Sequence, residues 1–318
     1  MRVAAIDCGT NSIRLLIADV TATDGVPTLL DVHREMRVVR LGAGVDATGM
    51  LAPEALERTF AALDDYAELI ATHQVERIRF VATSATRDAG NRDVFVAGVK
   101  ARLGVEPEVV SGAEEAALSF AGDVSVIPAL GEELVLVVDL GGGSTEFVVG
   151  NAQGVQAATS TDMGCVRFTE RYLRSDPPTA QEIAAAEAAI EAKINDVLLE
   201  VPLVDVYKVV GVAGSITTIT AQALGLASYG RELIHAAVVP LQSAEEAATE
   251  LLGMAREDRA ALGFMHPGRV DVIGAGSLIW RTVLRRLRTL TGGRIDSATT
   301  SEHDILDGIA LGAAGGVH

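Results

Sequence analysis

Two short stretches carry the residue types of phosphate chemistry. "VAAIDCGTNSIRLLIADV" (3–20) and "VVDLGGGSTEFVVG" (137–150) each run from an apolar segment through Asp and Gly into hydroxyl residues and out along a second apolar segment. A strand that ends in Asp-x-Gly and turns back leaves backbone N–H groups pointing into the turn, where glycine permits close approach of an anion. Gly9, Thr10, Asn11 and Ser12 in the first loop, and Gly141, Gly142, Gly143, Ser144 and Thr145 in the second, are therefore candidate phosphate ligands. The carboxylates Asp7 and Asp139 repel phosphate unless a hard divalent cation stands between them, and such a cation takes one or two carboxylates plus water. Glu146 can share the Ser144 side of its strand and joins Asp7 and Asp139 as a candidate ligand for Mg²⁺ or Mn²⁺; an exposed strand carboxylate is the plain alternative. A lone GGG turn is equally at home in an ordinary hairpin. Two loops of the same order, each leaving a strand, suggest two facing jaws on one phosphate group.

Positioning such loops takes a large core, and 318 residues with 49% hydrophobic content suffice for two domains. "VAAID" and "SIRLLIADV" read as strands joined by a tight turn, and "VPTLLDVHREMRVVRLG" as one or two more. Residues 52–72 place Leu56, Phe60, Leu63, Leu69 and Ile70 near helical spacing, with Pro53 suited to a first turn. "RIRFVATSATRDAGN" runs from a strand into a polar loop, "RDVFVAGVKARLGV" is helical, and "SGAEEA" leads into another helix. The pattern closes near Gly122 and restarts at "LVLVVDL". "DPPTAQEIAAAEAAIEAKINDVLLEV" predicts a long helix. "VYKVVGVAGSITTITAQAL" and "RVDVIGAGSLIWRTVLRRL" each read strand, glycine turn, helix. A last helix, about 302–313, is expected to start from an N-cap at Ser301. The whole reads as an internal duplication in an α/β protein.

A formal charge of −17 and a pI near 4.7 speak against a nucleic-acid footprint over the whole surface. A polyanionic ligand then calls for a metal ion or a local basic stripe. Arg281, Arg285, Arg286, Arg288 and Arg294 form one such cluster, and Arg34, Arg37 and Arg40 another; a solvated helix face is the bland reading of the first. The start of the chain lacks the three regions of a signal peptide, and no apolar run reaches a membrane span of roughly 18 residues. Cys8 and Cys165 make neither a disulfide framework nor a CxxC knuckle, and the histidines show no metal spacing. A reduced, cytoplasmic protein without a nucleic-acid or membrane partner is expected.

The pair DCGTNS and DLGGGSTE, together with "ATSATRDAGN", "VVSGAEEAALSFAG", "DMGCVRFTERYL" and "VDVIGAGSLI" in this order, resembles the exopolyphosphatase and guanosine-pentaphosphate phosphohydrolase family, within the superfamily of sugar kinases, actin and Hsp70. The resemblance covers essentially the whole chain. It implies two RNase H-like domains with an interdomain cleft: residues 1–122, completed by a C-terminal helix at about 301–318, and residues 123–300. It also implies Mg²⁺-dependent removal of a terminal phosphate and a homodimer. Longer family members carry further C-terminal helical domains, one resembling HD phosphohydrolases; this chain ends at His318 and matches a short form.

Under the same resemblance Glu115, the second Glu of "SGAEEA", corresponds to the proposed catalytic base, which would orient and partly deprotonate a water for in-line attack. Glu114 is its rival, or simply an acidic residue at a helix N-terminus. Arg87 resembles the arginine near the entering phosphate, where a guanidinium would stabilise equatorial oxygens; Asn91 holds that loop or contacts phosphate. The turns at "GVAGS" (211–215) and "GAGS" (274–277) precede helices and either border the substrate path or let strand and helix pack closely. The expected reaction is hydrolysis of the terminal phosphate of inorganic polyphosphate. The alternatives are guanosine pentaphosphate hydrolysis, which links to the stringent response, an ATP-dependent kinase, and a non-catalytic polyphosphate or alarmone sensor.

Overall fold

The computed structural model describes residues 1–23, 26–123 and 131–315. The chain divides into two units, one of Met1–Gly122 with Ile305–His318 and one of Asp123–Asp304. The first contains β1 (Arg2–Cys8), β2 (Ser12–Thr23), β3 (Val26–Val38), the short α1 (Val45–Thr48), α2 (Pro53–Thr72), β4 (Arg77–Ala82), α3 (Ser84–Asp88), α4 (Arg92–Leu103), β5 (Glu108–Val109) and α5 (Gly112–Asp123). Its sheet runs β3-β2-β1-β4-β5, with β1–β3 antiparallel and β4 and β5 parallel to β1.

Both faces of this sheet are covered, which explains why β1 reads as an unbroken apolar run rather than an alternating one. Ala4, Ile6 and Cys8 join the core under α2 and α4. Val3 and Ala5 point the other way, onto Ile305, Leu306 and Ile309 of the terminal helix.

The second unit contains β6 (Val135–Leu140), β7 (Thr145–Asn151), β8 (Gly154–Thr161), α6 (Cys165–Tyr172), α7 (Ala180–Val197), β9 (Lys208–Val212), α8 (Ala213–Ala223), α9 (Arg231–Ile234), β10 (Val238–Pro240), α10 (Leu241–Gly253), α11 (Arg256–Ala261), α12 (Ile273–Leu290) and β11 (Ser297–Thr300). The chain then returns to the first unit as α13 (Ile305–Ala313). The second sheet is ordered β10-β11-β9-β6-β7-β8. Read from β8, it repeats the first: an antiparallel three-strand meander followed by two strands parallel to its first. The duplication expected from the sequence is present strand for strand, with β10 added at the edge.

Several local expectations change. The polar loop after β4 is the helix α3. No strand precedes "GAGS"; α12 begins at Ile273, so these glycines lie inside its first turn and a half. Gly276 lacks a Cβ because one would overlap the Ser215 side chain and stand 3.5 Å from Cys165, which makes close helix packing its role. Ser301 caps a local turn: its hydroxyl accepts from the His303 N–H at 3.0 Å, and α13 starts only at Ile305. Residues 316–318 of the expected terminal helix lie outside the described residues. The strands β8, β10 and β11 were not anticipated; they are short or carry mixed polar residues without clear alternation.

Most arginines of both clusters are engaged in ion pairs or hydrogen bonds within the fold. Arg285 and Arg288 reach Glu245 at 3.0 and 2.8 Å, and Arg286 reaches Glu191 at 3.2 Å, so α12 is laced to α10 and α7. Arg294 donates to the Val206 carbonyl at 3.1 Å. Arg34 is bidentate to Asp307, and Arg37 pairs with Glu35 and Asp65.

Candidate active site

The two Asp-Gly loops are built alike. In the first, the Gly9 N–H donates to the Ser12 carbonyl at 3.0 Å; in the second, the Gly141 N–H donates to the Ser144 carbonyl at 3.0 Å. Asp7, Gly9 and Ser12 stand at the same offsets as Asp139, Gly141 and Ser144. Gly9 and Gly141 thus use their N–H groups to close the turns, and neither is placed to present them to a phosphate. Beyond the turns the chains diverge. Asp7 is paired in register with Arg14 across β1–β2, and both Nε and Nη2 of Arg14 donate to Asp7 Oδ2, at 2.8 and 2.6 Å. At the matching position of the second unit Asp139 is paired with Glu146.

In the first loop the Thr10 hydroxyl meets that of Ser84 at 2.8 Å, joining the loop to the start of α3. The Thr10 and Asn11 carbonyls accept from Gly42 and Arg40 at 2.9 and 2.8 Å, which fastens the loop to the segment after β3. Three residues beyond Ser84 on α3, Arg87 donates through Nη1 to Glu115 Oε2 and to the Val110 carbonyl, both at 3.0 Å. Glu115 is 7% exposed. Its neighbour Glu114 faces outward in a capping box with Ser111: Glu114 Oε2 accepts from the Ser111 N–H at 2.8 Å and from its hydroxyl at 2.9 Å. These bonds from Ser111, backbone first, hold the Glu114 carboxyl below its usual range. Adjacent helical residues point in different directions, and here that separates a capping acid from a buried one. Asn91 bonds both backbone groups of Leu51, at 2.8 and 3.0 Å, and so holds the loop.

In the second loop α6 seats the backbone. The Cys165 N–H donates to the Gly141 carbonyl at 3.0 Å, the Val166 N–H to Gly142 at 2.9 Å, and the Arg167 side chain to Gly143 at 2.8 Å. Gly164 has no space for a side chain, because a Cβ would overlap the Gly142 peptide. With their carbonyls held from one side, Gly142 and Gly143 keep N–H groups that have no partner among the described residues, nor has the Ser144 hydroxyl. These three are the donors available to an anion. Thr145 is different: its buried hydroxyl donates to the Met163 carbonyl and braces the loop from beneath, because on a strand its side chain takes the face opposite to Ser144.

Asp139 and Glu146 are 7% and 1% exposed, and Ser160 donates to Glu146 Oε1 at 2.7 Å. Side by side on neighbouring strands, the two carboxylates are a donor set of the kind a divalent cation takes, one or two carboxylates at a time. Among the described residues no group of three or more His, Cys, Asp and Glu side chains could hold a metal, so water and phosphate oxygens would complete the shell. Asp7 fits less well, since a metal there would share its carboxylate with Arg14. Both cysteines are buried, and burial pushes both thiols up, which leaves no thiolate nucleophile.

A family model described as the Ppx/GppA phosphatase family matches residues 16–312. The chain belongs to that family. It is 54% identical over 319 aligned residues to exopolyphosphatase 2 of Mycobacterium tuberculosis, covering 99% of each protein. It is 37% identical over 245 residues to the guanosine-5'-triphosphate,3'-diphosphate pyrophosphatase of Vibrio vulnificus, which spans 75% of this chain and 47% of that protein. A solved structure described as an exopolyphosphatase-like protein superposes with a TM-score of 0.92 at 43% identity, covering 98% of each chain.

One residue of the second unit escaped the reading of the sequence. Arg269 packs its guanidinium against Gly214, where a Cβ would overlap it, at the first turn of α8. The one hydrogen bond of its guanidinium among the described residues goes to the Thr218 hydroxyl at 3.3 Å. The residue before Gly214, Ala213, takes a left-handed φ of 70°, a strained conformation for a residue with a side chain. The GVAGS glycine was legible as a site of close approach; that an arginine from a distant segment makes the approach was not.

Proposed function

We propose that this chain is an exopolyphosphatase, removing the terminal phosphate of inorganic polyphosphate by in-line attack of water. The observation that carries the reading is the buried Glu115 turned onto Arg87, in a chain similar end to end to a protein named an exopolyphosphatase. Glu115 accepts the proton of the attacking water and orients its lone pair, an effect worth roughly 10²–10⁴ in rate. Arg87 holds that carboxylate in place and offers charge to the equatorial oxygens. The N–H groups of Gly142 and Gly143 and the Ser144 hydroxyl bind the phosphate oxygens, while Arg167 and Gly164 keep those N–H groups turned outward. Thr10, Asn11 and Ser12 act in the same way for the first unit. Asp139 and Glu146 of the second unit would be the main ligands of a Mg²⁺ or Mn²⁺ ion, with Asp7 of the first unit a further candidate, and the ion when bound would supply neutralisation of charge on the transferred phosphate.

Guanosine pentaphosphate is the second reading, favoured by the similarity to the Vibrio protein, and it uses the same groups. The assay that separates the readings supplies Mg²⁺ with long polyphosphate, short polyphosphate, guanosine pentaphosphate or ATP and follows free phosphate. Release from polyphosphate supports the proposal. Release from guanosine pentaphosphate alone moves the protein to the second reading, and tight binding without release makes it a sensor. We also place the protein in the cytoplasm as a homodimer. Support for the first comes from two buried reduced cysteines and from the finding that no helix among the described residues is long and apolar enough to cross a membrane. The second rests on the family resemblance and is read by light scattering.

A further inference from the structure

At the start of α12 lies a cavity of about 150 Å³ that the proposed reaction does not use. It is bounded by the C-terminal end of α6, the segment before α7, the start of α11 and the first turn of α12. Arg259 lines it, and only 5% of this arginine is exposed. A guanidinium carries five N–H donors. The Arg259 guanidinium makes one hydrogen bond among the described residues, from Nη2 to Asp176 Oδ1 at 2.7 Å; its Nε is fully enclosed, which leaves Nη1, beside Gly274, as the donor that can face the cavity. Leaving donors of a buried cation unmet is costly, so this group calls for a partner from the cavity.

The rest of the lining says what kind. Gly274 and Ala275 sit in the first turn of α12, where N–H groups have no intrahelical acceptor and the helix dipole favours an anion. Arg259 Nη1 lies 3.2 Å from the position a Cβ on Gly274 would take, so the guanidinium stands directly at that helix start and glycine makes room for it. Arg174 and Arg256 add two more cations. Asp176 and Asp271 are the acids of the lining, and both are engaged: Asp176 by Arg259 and the Arg256 N–H, Asp271 by Arg256 Nε at 2.5 Å. Water alone would fill the volume at roughly 30 Å³ per molecule, but would leave the net positive lining uncompensated.

We propose that this cavity binds a phosphate-sized tetrahedral oxyanion between Arg259 and the N–H groups of Gly274 and Ala275. The site is distinct from the Gly142–Gly143 loop, yet it shares two elements with the support of that loop. The α6 helix runs from Cys165, which seats Gly141, to Thr169 at the cavity. Likewise Gly276, where an added Cβ would stand 3.5 Å from Cys165, follows directly on the ligating turn. The oxyanion would brace the first turn of α12 against the base of the phosphate loop. Nothing in this depends on the hydrolase reading, because the probe is inorganic phosphate and the readout is binding.

The test is a phosphate titration of the ¹⁵N-labelled full chain, following the amide resonances of Gly274 and Ala275 alongside those of Gly142 and Gly143. Saturable shifts of Gly274 and Ala275 are expected, weakened about tenfold or more in Arg259→Gln, as befits a charge-assisted bond. They should persist in Ser144→Ala, which alters the other loop. If Arg259→Gln does not fold, Arg174→Gln on the exposed rim serves instead, with a loss of about threefold or more expected. Amides of Gly274 and Ala275 that stay still while Gly142 and Gly143 respond would overturn the proposal, and so would titrations indifferent to both arginine substitutions.

Discussion

Asp139 stands directly opposite Glu146 across the β6–β7 ladder, where the duplicated position of the first unit sets Asp7 against Arg14. One hairpin thus sets its carboxylate against a guanidinium, while the other sets two carboxylates against each other. On the proposed reading the cation belongs to the second unit. Mg²⁺ or Mn²⁺ at ten times its dissociation constant is expected to stabilise the wild type by about 1.4 kcal/mol, a rise of a few degrees in Tm. Glu146→Gln should abolish that rise. Calorimetry with and without metal checks it, and an undiminished rise in the variant would place the ion elsewhere.

Glu115 and Glu114 are neighbours with opposite fates. Glu115→Gln is expected to lower turnover by roughly 10²–10⁴ while polyphosphate still binds. Glu114→Ala should leave turnover within about threefold, because it removes a helix cap and no reacting group, and should lower Tm slightly. Phosphate release and equilibrium binding on the two variants decide it. The reverse pattern would give the base to Glu114.

Gly164 has a Cβ-shaped prohibition against the Gly142 peptide. Gly164→Ala should push the loop backbone aside, lowering kcat/KM at least tenfold, with a stability loss of about 1–3 kcal/mol as for other overpacked sites. Kinetics and urea denaturation of the same preparation separate the two effects. A variant as stable as the wild type and equally active would show that the loop tolerates the shift.

Arg269 offers a guanidinium at the first turn of α8 with a single hydroxyl as partner among the described residues. If the first turn of α8 holds the rest of a polyanion on the proposed reading, Arg269→Gln is expected to raise KM for long polyphosphate about tenfold, with a smaller change in kcat. Steady-state kinetics against chain length measures this; equal effects on all substrates would reduce Arg269 to a packing residue.

Acid should loosen α7 through its cap. Glu182 accepts from the Thr179 backbone first, and also from the Thr179 hydroxyl and the Arg174 and Ser175 N–H groups, which bring its carboxyl from 4.5 to about 2. A depressed folded value means that the contribution is complete above the ordinary carboxylate range and is lost as pH falls from about 4.5 toward 2. The Tm difference between wild type and Glu182→Gln should therefore be constant near neutrality and shrink across that window. A difference independent of pH would show that the charge of Glu182 plays no part.

Much of this was legible in the order of residues. Unbroken apolar runs ending in Asp-x-Gly announced β1 and β6, because strands covered on both faces need no polar alternation. Pro53, the period of 52–72 and the Ala/Glu-rich stretch after Pro178 located α2 and α7, since caps and periodicity are local properties. The matched offsets of Asp7, Gly9 and Ser12 with Asp139, Gly141 and Ser144 exposed the duplication. All of these depend on interactions within a few residues, which a sequence displays directly.

What required the folded chain were choices among equivalent chemistries. Pattern alone could not tell Thr145, bonded beneath its loop, from Ser144 above it, nor separate the glycines that close a turn from those that offer N–H groups. "VDVI" had a strand's composition, yet residues 270–272 form a turn and α12 starts at Ile273, with Gly276 letting that helix press onto Ser215 and Cys165, a contact between segments far apart in the chain. For the arginines of α12 the sequence offered a solvated helix face or a track for a polyanion, and the folded chain brings acids of α7 and α10 beside them. Arg14, Arg167 and Arg269 each meet their partner across a hairpin or from another element. Residue types and spacing specified which chemistry the protein could hold; long-range packing decided which of those side chains are tied into the scaffold and which keep donors to offer.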